Sequence, residues 1–156
     1  MTVVICPGIH ESKLTDQFLE GLFVNWRSLS NSSHFLVCPT QDYTPYSVID
    51  ISKFLWYSKS ITIDVPLLFI AFSAGVVGAV GAACTWQLQG GQVKALIAID
   101  GWGMPLTGNF PIYKVSHDYF THWSWGIFAG GDESFYAYPS VAVSYTHLRA
   151  HETVMN

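Results

Sequence analysis

The run Ala71-Phe72-Ser73-Ala74-Gly75 sets a serine between small residues two before and two after it. A nucleophilic serine needs an exposed hydroxyl, and a tight strand-to-helix turn presents one when its flanks are small enough to close. The commonest form of that turn has glycine on both sides, whereas the first position here is Ala71. Ser73 is therefore a candidate nucleophile for acyl transfer. The competing reading makes it an ordinary helix N-cap. A second run, Cys6-Pro7-Gly8-Ile9-His10, is a glycine turn. An oxyanion needs N–H donors fixed in place before charge develops. Ile9, and Ala74 directly after the serine, are the candidate donors. His10 and Trp102 are candidate binding residues in loops that follow strands.

These residues need a scaffold that brings them to one edge. Thr2 to Cys6 is a short uncharged run closed by Pro7-Gly8, which suits a strand buried on both faces. Ser12 to Arg27 places Leu14, Phe18, Leu22 and Trp26 four apart, so a helix is predicted. His34 to Cys38 reads as a strand closed by Pro39. Ser47 to Ser60 reads as a helix with Ile51, Leu55 and Val48 inward. Leu67 to Phe72 and Val93 to Asp100 read as strands, with a helix from Ala74 to Leu88 between them that ends at Gly90-Gly91. Alternation of this kind predicts an α/β fold, a mostly parallel sheet with helices on both faces. Function in such sheets sits at the carboxyl ends of the strands. From Met104 to Pro139 the chain is crowded with aromatic residues. This part has no clear period, and it is expected to cap the site and favour an apolar acyl or aryl group, or else to pack as core.

Composition narrows the function classes. Only 12% of the 156 residues are charged and half are hydrophobic. The net charge is -4, which argues against nucleic acid as a partner. The stretch from Val65 to Val93 has no charged residue, so a small membrane protein spanning about 65 to 88 is an alternative. Its Gly, Ala, Ser and Thr content, with Gln87 and Gln89, favours a strand, a turn and a buried helix. Cys6, Cys38 and Cys84 have no CxxC spacing and read as reduced thiols of a cytoplasmic protein. No basic, apolar leader precedes Pro7-Gly8.

The turn PGIH, the elbow AFSAG and the alternation between them resemble the α/β-hydrolase superfamily, over about residues 2 to 104. More narrowly, ICPGIHES, FIAFSAGVVGA, ALIAIDGWGMPL and SHDYFTHWS resemble a group of cyanobacterial α/β-hydrolase-like proteins with no known substrate. The resemblance implies a serine nucleophile, then an acid, then a histidine base, with no cofactor and a small-molecule ester-type substrate. Asp100 ends a strand beside the elbow strand and is the best-placed acid, followed by Asp118 and Asp132. His117 and His122 are the favoured bases by chain order, ahead of His147, His151 and His10. The superfamily takes its acid and base from loops after later strands, and few residues remain after Trp102 to build such strands. A catalytically inactive hydrolase-fold binding protein is the alternative from another class.

Metal readings are weak. His10-Glu11 lacks the second histidine of a zinc helix, and His147 and His151 share only a four-residue spacing. The polar tail from Val143 breaks the preceding character and resembles translated sequencing-adapter read-through. The expectation is a hydrolase-like domain over 1–142, cut short at its C-terminus, followed by a non-native or disordered tail over 143–156.

Overall fold

The computed structural model describes residues 1–9, 12–26, 33–101, 106–116 and 133–136. In chain order these form β1 (Thr2–Cys6), α1 (Ser12–Trp26), β2 (His34–Val37), α2 (Val48–Tyr57), β3 (Leu67–Phe72), α3 (Gly75–Leu88), β4 (Val93–Ile99), β5 (Ile112–Ser116) and β6 (Glu133–Tyr136). The six strands make one sheet in the order β2-β1-β3-β4-β5-β6. Every neighbouring pair is parallel. The fold is α/β, and all carboxyl strand ends therefore share one edge.

The inner strands β1 and β3 are buried on both faces, which is why they read as continuous apolar runs rather than alternating ones. On one face Val3, Ile5, Leu68 and Ile70 pack with Phe18, Leu19 and Leu22 of α1. On the other, Val4, Phe69, Ala71, Leu96 and Ala98 pack with Ile51, Phe54 and Leu55 of α2 and with α3. Edge-on ring contacts tie α1 to the sheet, with Phe18 against Phe72 at 4.5 Å and Phe23 against Phe35 at 4.7 Å.

Helix α3 is built for close approach. Its buried residues Val76, Gly78, Ala79, Val80, Ala82, Ala83 and Trp86 lie on most sides of it. A side chain at Gly78 would collide with the Pro45 carbonyl, and one at Gly81 with Val48. The small residues thus let α2 and the loop before it lie directly on α3. Near the far end of α3, Trp86 packs against Trp56 of α2 with ring centroids 5.1 Å apart and planes tilted by 44°.

The start of α2 is fixed by two hydrogen bonds that meet at Asp50. Ser47 Oγ accepts from the Asp50 N–H at 3.2 Å, and Asp50 Oδ2 accepts from the Thr44 N–H at 3.0 Å. The Thr44 backbone and side-chain hydrogen bonds hold the Asp50 carboxyl below its ordinary range.

The segment 65 to 88 holds the strand and buried helix that its composition favours, and no helix among the described residues is long and apolar enough to cross a membrane. Two other expectations change. Two further strands do exist after Trp102, where too few residues were expected for them. Within the aromatic region, 112–116 and 133–136 are accordingly sheet rather than cap, and the tail from 143 lies outside the described residues.

Candidate functional site

Strand β3 lies inside the sheet, between β1 and β4, so its carboxyl end is flanked on both sides. Ser73 follows it directly with φ of 47°, in the left-handed region that side chains rarely adopt. The turn is held by backbone contacts. The Ser73 N–H donates to the Ile99 carbonyl at 2.8 Å, and the Ser73 carbonyl accepts from the Val76 N–H at 3.1 Å. The serine is thereby lifted out of the strand line and into the first turn of α3.

Gly75 explains the small flank. A Cβ there would collide with the Cys6 carbonyl and stand 2.9 Å from the Pro7 carbonyl carbon. The end of β1 therefore lies directly on the helix start, and only glycine permits it. Ala71, the other flank, is fully buried and packs into the core that α2 and α3 cover. Alanine is tolerated here because the close approach falls on Gly75.

The helix start also settles the capping question. The N-cap position is Ala74, and no side chain caps the helix. Ser73 does not serve as a side-chain cap. Ser73 is half-buried just before α3, whose N-terminal dipole favours negative charge.

The two candidate oxyanion donors lie at the same edge. Ile9 follows the buried turn Pro7-Gly8, and its side chain is 70% exposed. Among the described residues, neither the Ile9 nor the Ala74 N–H donates to a hydrogen-bond partner.

Asp100 follows β4 with φ of 50°, and its N–H donates to the Val115 carbonyl at 2.9 Å. Phe72 pairs with Ile99, so Ser73 and Asp100 follow at the same level of adjacent strands. Gly101 is buried against Val76 of α3, where a Cβ would stand 2.8 Å from Cγ2. The structure thus brings Ser73, Ala74, Ile9 and Asp100 to one edge of the sheet.

His10, Trp102, His117 and His122 lie outside the described residues, as do Asp118, Asp132, His147 and His151. Among the described residues His34 is the one histidine, and it opens β2 at the amino-terminal edge. No cluster of metal ligands occurs among the described residues.

Lys114 is a buried cation among the apolar residues of the sheet. It sits in β5 beside Ala98 of β4 and Ser134 of β6 and is only 5% exposed. Burial pushes its amine below the ordinary lysine value. The available signal was a single cation inside the apolar run Ile112 to Val115.

An open cleft of about 650 Å³ lies at the other end of α3, between its last turns and residues 107–109. Gln87 Nε2 donates to the Asn109 carbonyl there at 3.2 Å, which ties the loop to the helix. The cleft is at the amino-terminal edge of the sheet and includes none of the residues around Ser73.

No protein-family model matches the chain, and no curated protein matches it significantly.

Proposed function

We propose that the protein is a cytoplasmic serine hydrolase acting on a small ester-type substrate, with Ser73 as nucleophile. The observation that carries the reading is the backbone of Ser73, a non-glycine residue held at positive φ between the end of an internal strand and the start of a helix. Conformations of this kind cost free energy and persist where the surrounding structure over-determines them, which is commonest at functional sites. The Ile99 carbonyl and the tight seat of Gly75 supply that constraint.

In this mechanism Ser73 Oγ attacks the ester carbonyl carbon while a histidine removes its proton. His117 or His122 takes that role, and Asp100 orients the imidazole. The carbonyl oxygen becomes an oxyanion that the Ile9 and Ala74 N–H groups receive. Collapse expels the alcohol, which takes the proton from the histidine. Water, deprotonated by the same histidine, then releases the acid and restores Ser73. His10 and Trp102 would contact the substrate.

A fluorophosphonate probe tests the assignment. Labelling of the wild type that disappears in Ser73→Ala is expected. Equal labelling of both would remove Ser73 as the nucleophile. A wild type that neither labels nor hydrolyses p-nitrophenyl esters would favour an inactive hydrolase-like binding protein.

A further inference from the structure

Two thiols stand side by side in the core beneath the strand ends. Cys6 is the last residue of β1 and Cys38 is the residue after β2. The parallel register pairs Val4 with Leu36 and Ile5 with Val37, and the Cys38 N–H continues the ladder by donating to the Ile5 carbonyl at 2.9 Å. Continued by one residue, this register sets Cys6 opposite Cys38. Both belong to the core cluster on the α2 side of the sheet, so their side chains leave the same face. Both are free thiols, 0% and 2% exposed.

The spacing suits a covalent bond. Neighbouring strands lie about 4.8 Å apart. A disulfide spans roughly 4.4–6.8 Å between Cα atoms. Residues in register on parallel strands fall inside that range without moving the backbone.

Access is the other requirement. β2 is an edge strand, and its four residues are all exposed or half-buried. Edge elements with few apolar contacts open locally more readily than central ones. Opening of β2 uncovers Cys38 first, because β1 remains paired to β3 on its other side.

We propose that Cys6 and Cys38 form a dithiol–disulfide couple, oxidised by a low-molecular-weight disulfide. The Cys38 thiolate attacks one sulfur of the small disulfide and expels the first small thiolate. Cys6 then attacks the Cys38 sulfur of the mixed disulfide and expels the second. One S–S bond breaks and one forms. The protein loses two electrons and two protons, and the small disulfide leaves as two thiols. Burial makes the couple slow, since it pushes the Cys38 thiol up to about 12 and the Cys6 thiol well above its ordinary value. The bond would tie the edge strand to the segment whose carbonyls seat Gly75. The inference rests on sheet register and holds whether or not Ser73 is a nucleophile.

The test uses the full chain carrying Cys84→Ser, which keeps both core thiols and removes the half-buried third one. It is incubated natively with hydroxyethyl disulfide, digested without reductant and mapped by mass spectrometry. The expected product is a Cys6–Cys38 linked peptide lighter by two hydrogens, restored by reductant. Adding Cys38→Ser should leave Cys6 unmodified over the same time. The proposal is overturned if both cysteines remain thiols, if each carries its own mixed disulfide without a link, or if the link forms only in denaturant.

Discussion

Ser73 and Asp100 end adjacent parallel strands in the same left-handed conformation, with φ of 47° and 50°. They are coupled through one hydrogen bond, because the Ser73 N–H donates to the carbonyl of Ile99, the residue before Asp100. The two turns therefore brace each other.

Each of these turns stores strain that glycine would relieve. A left-handed residue costs roughly 1–2 kcal/mol unless it is glycine. Ser73→Gly should accordingly be more stable than Ser73→Ala by about 1 kcal/mol. Both variants lack the hydroxyl and should be inactive toward esters. Urea unfolding of the pair checks this, and equal midpoints would mean that the positive φ is not strained.

Asp100 separates a structural role from a catalytic one. Asparagine tolerates positive φ at least as well as aspartate. Asp100→Asn should thus keep the wild-type unfolding midpoint. Under the proposed mechanism it should lower kcat/KM by about 10²-fold or more, since the carboxylate that orients a catalytic imidazole contributes on at least that scale. Unchanged ester hydrolysis in a folded variant would remove Asp100 as the acid.

Gly75 is a packing position with no slack. A methyl group there meets backbone carbonyls of Cys6 and Pro7, which cannot rotate away as a side chain would. Gly75→Ala should destabilise by about 1–3 kcal/mol through overpacking. Gly21, with nothing near its Cβ position, provides the control. Gly21→Ala lies on the α1 helix and should stabilise by up to about 1 kcal/mol. Thermal melts of the two variants moving in opposite directions are the expected result.

Acid sensitivity should include a contribution from Asp50. Its folded pKa lies below the unfolded value because Thr44 donates hydrogen bonds to the carboxylate. A depressed carboxyl adds stability above the unfolded pKa, and the contribution fades as pH falls through the folded one. Asp50→Asn should therefore lower Tm at neutral pH. The gap between variant and wild type should close below about pH 4, where aspartate protonates. Melts across that range check the sign, and a gap that widens in acid would contradict it.

The sequence was most legible where burial is two-sided. β1 and β3 run over the residues expected, because Thr2–Cys6 and Leu67–Phe72 are unbroken apolar runs bounded by turn residues. Ser47, inside the helical pattern of the sequence, stands outside α2 as its cap, since its oxygen serves the Asp50 N–H. β5 and β6 lack a sequence signature for a physical reason. They are five and four residues long, and they carry Lys114, Glu133 and Ser134 in place of aliphatic side chains. Their place is set by β4 and by each other rather than by their own pattern. At the site, the elbow was legible from Ala71 to Gly75, whereas the strained φ of Asp100 has no local sequence signature. The candidate histidines lie outside the described residues.

The strand order also has a consequence for synthesis. β1 is made first, yet its two neighbours are β2 and β3, and β3 begins only at Leu67. On a ribosome adding about 5–20 residues per second, the second side of β1 stays unpaired for several seconds. During that interval Val3, Val4 and Ile5 form an apolar strand with an open edge, the kind of segment that pairs with other chains. Yield during expression should therefore depend on translation speed between β1 and β3 more than on the stability of the finished sheet.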